Sequence, residues 1–152
     1  MLTHVSIKLY VSGDVDAKLY YLYKQQLELM ATLTTTLTLS TTDATSDALK
    51  ITSTDSLTTG NPAVNMARLS IGTSAATNIL TAAANTSITY VYIKNTSTDA
   101  SHILTLKDDA GNAFADLAGG EFAFLPVKGS VGLEAQASGA DIIAEYGYWT
   151  KA

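Results

Sequence analysis

From residue 87 to residue 149 the chain repeats one plan: a run of five to nine residues with apolar side chains at every second position, then a short cluster of Gly, Asn, Asp or Ser. The runs cover 87–94, 102–107, 113–117, 121–127, 131–137 and 141–149. A period of two is that of a strand with one buried face. Turn clusters lie at 95–101, 108–112, 119–120, 128–130 and 138–140. Strands at this spacing, divided by glycine turns, pair antiparallel and close into a sandwich or barrel, because the connections are too short for crossover helices. Pro126 has no N–H for a ladder, so its strand is expected at a sheet edge or with a bulge there.

The first 86 residues are less uniform. Residues 3–11 alternate, Ser12-Gly13-Asp14 reads as a turn and cap, and 14–30 carry a helical period through Leu19, Leu22, Tyr23, Leu27 and Met30. In 31–40, Leu33, Thr35, Leu37 and Leu39 share one face of a strand and Thr34, Thr36, Thr38 and Ser40 the other, which predicts a buried leucine face and a threonine-lined outer surface. Weaker signals suggest a strand at 48–54, a loop at 55–62, a strand at 67–72 and a strand or helical turn at 77–83. The expected organisation is a strand–helix arm over 1–30 and a β-sandwich domain over 31–152. Met30-Ala31-Thr32-Leu33 would also serve as a translation start, but a clean strand, turn and amphipathic helix before it favour a genuine arm.

Composition excludes several functions. With no Cys there is no thiolate chemistry and no Cys-based metal site. Nine scattered basic residues against a net charge of -5 do not suit a phosphate backbone, so no nucleic-acid partner is expected. No apolar stretch is long enough for a transmembrane helix and the start lacks the plan of a signal peptide, so no membrane partner is expected and the chain is expected to be cytoplasmic when made. Charged residues make up 15% of the chain, and about one residue in seven is Thr. Thr supplies a small uncharged polar face, which suits a β surface that meets other protein.

Residues for a reaction are sparse. His4 and His102 fall on different expected strands, no Ser sits in a Gly-x-Ser-x-Gly elbow, and no His-Glu-x-x-His occurs. Most carboxylates flank turns, where Asp is favoured for local hydrogen bonding; Asp108-Asp109-Ala110-Gly111-Asn112 lacks calcium-loop spacing and reads as a hairpin turn. No catalytic, cofactor-binding or metal-ligating residue is therefore assigned. Tyr90 with Tyr92, Phe122 with Phe124 and Tyr146 with Tyr148 each share a strand face. Inward ladders of the core are the expected origin; a carbohydrate-binding face would instead need Tyr90, Tyr92, Tyr146 and Tyr148 exposed together. Asn85-Thr86-Ser87 and Asn95-Thr96-Ser97 are formal glycosylation sequons.

Four segments carry a resemblance: Tyr90-Val91-Tyr92-Ile93-Lys94-Asn95; Ile103-Leu104-Thr105-Leu106; Leu117-Ala118-Gly119-Gly120-Glu121-Phe122-Ala123-Phe124-Leu125-Pro126-Val127; and Ile142-Ile143-Ala144-Glu145-Tyr146-Gly147-Tyr148-Trp149. In this order they resemble small virion structural proteins of tailed bacteriophages, particularly those of cyanobacterial and marine phages, over residues 87–150. The resemblance implies a jelly-roll-like β-sandwich serving as a capsid decoration (cement) protein or as a tail or fibre component. The implied partners are the major capsid protein or another virion protein and further copies of the chain, in a trimer, with no cofactor. Leu19, Tyr20, Tyr21, Leu22, Tyr23 and Leu27 make the expected helix more apolar than a solvated one. They are the candidate partner-binding residues, the alternative being that they cover one end of their own domain.

Overall fold

The computed structural model describes residues 31–42, 49–59, 64–83 and 88–151, all within the compact unit Ala31–Ala152. The expected strand at 3–11, the helix at 14–30 and its six candidate residues lie outside the described residues. The described residues form ten strands and no helix: β1 Ala31–Thr41, β2 Leu49–Thr59, β3 Val64–Ile71, β4 Thr77–Leu80, β5 Ile88–Asn95, β6 Ile103–Lys107, β7 Ala113–Leu117, β8 Phe122–Lys128, β9 Leu133–Ser138 and β10 Ile142–Thr150. All pairings are antiparallel.

Strands β3 to β10 make two four-stranded sheets, in the orders β3-β10-β5-β8 and β4-β9-β6-β7. Alternation decides which side chains meet between them. From the first sheet Ile71, Val91, Ile93, Val127, Ile142 and Ala144 point inward, and from the second Ile79, Leu104, Leu106, Leu117, Leu133, Ala135 and Ala137. They form one buried cluster, with Leu69, Leu125, Tyr146 and Tyr148 packed against its margin. Pro126 lies on β8, an edge strand, as its missing N–H requires.

The earlier part departs from expectation in three ways. Residues 55–59, expected in a loop, continue β2, because Asp55 and Leu57 keep the alternation of Leu49, Ile51 and Ser53 in register with β1. Strand β3 starts at Val64, three residues early, whereas 77–80 takes the strand form, one of the two expected for 77–83, and pairs with β9. Most consequentially, β1 and β2 form a two-stranded ribbon outside both sheets.

One buried polar residue connects the loops. Asn95 ends β5 fully enclosed; its Nδ2 donates to the carbonyls of His102 (2.8 Å) and Leu117 (3.0 Å), and its Oδ1 accepts the N–H of Ser97 (3.0 Å). Its backbone N–H donates to Glu121 O and its carbonyl accepts Gly120 N–H, both at 3.0 Å. Asn95 thus pins the 96–102 loop to the 118–121 turn, and its burial withholds the second sequon from modification in the folded chain.

Candidate functional site

The ribbon is strongly two-faced. Directly opposed residues share a face, so Leu33 with Leu57, Thr35 with Asp55, Leu37 with Ser53, Leu39 with Ile51 and Thr41 with Leu49 lie on one side. The other side pairs Thr32 with Thr58, Thr34 with Ser56, Thr36 with Thr54, Thr38 with Thr52 and Ser40 with Lys50, so that nine of its ten side chains are hydroxyls. At the base the aliphatic side is covered: Leu57 and Thr59 are buried, Thr59 Oγ1 donates to Ala31 O at 3.1 Å, and Thr59 bridges Lys151. Toward the tip it is open, with Leu37 52%, Leu39 47%, Leu49 39% and Ile51 45% exposed. The expected burial of the β1 leucine face therefore fails for Leu37 and Leu39, because the ribbon extends beyond the sheets that would cover it.

A second open apolar surface lies on the outer face of β3-β10-β5-β8. The alternation that sends Val91 and Ile93 inward sends Tyr90 and Tyr92 outward, and Phe122 and Phe124 of β8 stand beside them. The expected inward ladder is thus corrected for these four: Thr89, Val91, Ile93, Ala123, Leu125 and Val127 take the inward positions. Tyr146 and Tyr148 do pack toward the core. The four tyrosines consequently do not share one face, as the carbohydrate-binding reading required.

Rings of Tyr90 and Phe124 are near-parallel at 5.8 Å between centroids, and those of Tyr92 and Phe122 lie 6.1 Å apart. Near-parallel rings as close as the first pair cannot lie side by side in one plane, so they overlap like shingles rather than forming a flat platform. Phe122 is 61% and Phe124 38% exposed. Between this aromatic plate and the ribbon runs a groove of about 770 Å³, with Tyr92, Phe122 and Phe124 on one wall and Thr35, Leu37, Ser53 and Asp55 on the other.

Among the described residues, a Ser, a His and an Asp converge in the 96–102 loop. His102 Nδ1 lies 3.0 Å from Ser97 Oγ, and His102 Nε2 lies 3.7 Å from Asp99 Oδ2. The components resemble a nucleophilic triad, but their hydrogen bonds close the loop on itself. Ser97 Oγ accepts Asp99 N–H at 3.1 Å, and Asp99 Oδ1 accepts both the N–H and the hydroxyl of Ser101 at 2.9 and 2.7 Å. The Ser101 hydroxyl and then its N–H hold the Asp99 carboxyl below its ordinary value. No group of three His, Asp or Glu side chains suited to a metal occurs among the described residues. No helix among them is long and apolar enough to cross a membrane.

Asp108 gives a pH prediction at the β6–β7 turn. Asn112 Nδ2 donates to its Oδ2 at 2.9 Å and Asn112 N–H to its Oδ1 at 2.8 Å, and these bonds hold its carboxyl below 3.8. A depressed carboxyl stabilises the fold above its unfolded value and loses that contribution as pH falls through the folded one. Carboxyl NMR titration should place Asp108 below 3.8 in the parent chain, and Asn112→Ala should move its midpoint back up.

The described residues therefore define a two-sheet scaffold with two open apolar surfaces. Comparison with known proteins finds no match: no protein-family model, no curated protein and no solved structure matches the chain.

Proposed function

We propose that this chain is a non-enzymatic structural protein of a tailed-phage particle, a decoration protein that binds the major capsid protein and stabilises the head. The observation that carries the reading is the pair of exposed apolar surfaces, ribbon tip and aromatic plate, on a scaffold whose polar clusters are spent on holding loops. Surfaces of this kind mark contacts with other protein. The strand orders β3-β10-β5-β8 and β4-β9-β6-β7 favour a β-sandwich of jelly-roll type, with eight strands split between two sheets. The resemblance of residues 87–150 to phage virion proteins supports the same reading. A decoration protein acts by mass action: contacts made only on the assembled shell lower the free energy of that shell.

The alternative within the same class is a tail, adaptor or fibre component. Electron microscopy of antibody-labelled particles from the phage that encodes the chain separates the two. Clusters at local three-fold positions over the head are expected, together with earlier DNA release on heating when the protein is left out. A ring or spike at one vertex would transfer the chain to the tail, and absence from purified particles would overturn both readings.

A further inference from the structure

We propose that the groove between the ribbon and the aromatic plate is filled by the ribbon tip of a second copy of this chain. The inference rests on the reading of the chain as a self-associating virion part and names the surfaces through which copies join.

The argument starts from the tip. Leu39, Leu49 and Ile51 leave open roughly 260 Å² of apolar surface, at about 200 Å² for a whole aliphatic residue, close to the largest patch of an ordinary soluble monomer. A two-stranded ribbon is at best marginally stable alone in water, so a tip with bare aliphatic side chains gains from a third surface. Its own groove is out of reach, because the ribbon that carries the tip forms one wall of that groove.

The groove and the tip also match on both sides. One wall is aromatic, through Tyr92, Phe122 and Phe124, and the other offers Thr35, Ser53 and the carboxylate of Asp55. An incoming tip is aliphatic on one face, through Leu39, Leu49 and Ile51, and carries hydroxyls and the exposed ammonium of Lys50 on the other. With its aliphatic face on the aromatic wall, the tip turns Lys50 toward the wall that bears Asp55. That pairing suits a chain of net charge -5, whose copies otherwise repel. The tip supplies only a few hundred Å² of open aliphatic surface against the roughly 1,200 Å² at the low end of specific interfaces, so the contact must also take in the polar rims of both surfaces. Tip and groove are different surfaces, so the contact is either exchanged reciprocally in a two-fold dimer or runs head-to-tail, where a rotation that closes gives a ring such as a trimer.

Because the chain has no Cys, disulfide trapping gives an unambiguous test. Full-length Leu39→Cys and Ile51→Cys proteins are each mixed with full-length Phe122→Cys or Phe124→Cys protein carrying a different tag, then oxidised. Tip-to-plate products are expected in at least tenfold excess over tip-to-tip products in one or more of the four mixtures. The double variant Leu39→Thr, Ile51→Thr keeps strand propensity and should reduce the light-scattering mass to that of one chain. Dominant tip-to-tip products would replace this contact with a face-to-face ribbon pair. No tip-to-plate product in any mixture, with a parent mass of one chain, would leave the groove to residues 1–30 or to a different virion protein; either result overturns the proposal. These readouts use purified protein alone, so they can fail while the protein is still found on the phage head, or succeed while it is absent from it.

Discussion

Replacing Asn95 with Ala is expected to lower the stability of the fold by about 3 kcal/mol and its thermal midpoint by roughly 10 °C, as read by scanning calorimetry. The side chain is fully buried and makes three hydrogen bonds, two of them to the carbonyls of His102, at the end of the 96–102 loop, and Leu117, at the end of β7. Truncation leaves those carbonyls without the Asn95 donor and frees the Ser97 N–H, and each group left unsatisfied costs on the order of 1–3 kcal/mol. Asn95→Asp separates lost hydrogen bonding from lost volume. It keeps the shape, removes both N–H donors and encloses a carboxyl whose charged form burial disfavours. Its folded-state pKa is therefore raised, so its penalty relative to the parent grows as pH climbs above the unfolded value of about 3.9 and shrinks below it. A penalty for Asn95→Asp that did not change with pH would mean that the side chain is not enclosed as described.

That residue also illustrates what was legible beforehand. The C-terminal strands could be read from alternation because each has one face on a core, and the turn clusters fell where the chain does turn. Alternation says which residues share a face; it does not say which face is inside. For β5 and β8 both faces are apolar, Val91 and Ile93 against Tyr90 and Tyr92, and Ala123 and Leu125 against Phe122 and Phe124. The larger aromatic residues suggested the wrong side. The signal that could have decided it is the smaller inward set, since two sheets meeting face to face leave room for aliphatic side chains of moderate size. The ribbon posed the same problem. Its pairing was present in the matched alternation of 33–41 and 49–57, but whether a third layer covers the leucines is a tertiary fact. Asn95 and Gly119 could be read as turn residues, but not as a buried pin and a close backbone approach, because those roles have no period.

Gly119→Ala tests that close approach and should cost about as much as the loss of Asn95. A Cβ on Gly119 would lie 2.2 Å from the carbonyl oxygen of Asp99, 2.7 Å from its carbon and 3.0 Å from the carbonyl oxygen of Ser97. All three are backbone atoms, so no side chain can swing aside, and the 118–121 turn must lift off the 97–99 segment. Lifting it strains the bonds that Asn95 makes to Leu117, Gly120 and Glu121. A loss of about 3 kcal/mol is expected by urea unfolding, near the upper end for forced overpacking. Gly111→Ala is the control, because Gly111 has φ +85 with nothing within 4 Å of its added Cβ. It carries only the cost of a left-handed backbone, about 1–2 kcal/mol. The order is therefore the reverse of that expected from backbone conformation alone, since Gly119 is not among the positive-φ glycines. Asn95→Ala and Gly119→Ala act on the same docked pair of loops, so the double variant should lose at least 1 kcal/mol less than the two single losses combined. Full additivity would mean that the turn and the loop are held independently, and the role of Asn95 as their common pin would be wrong.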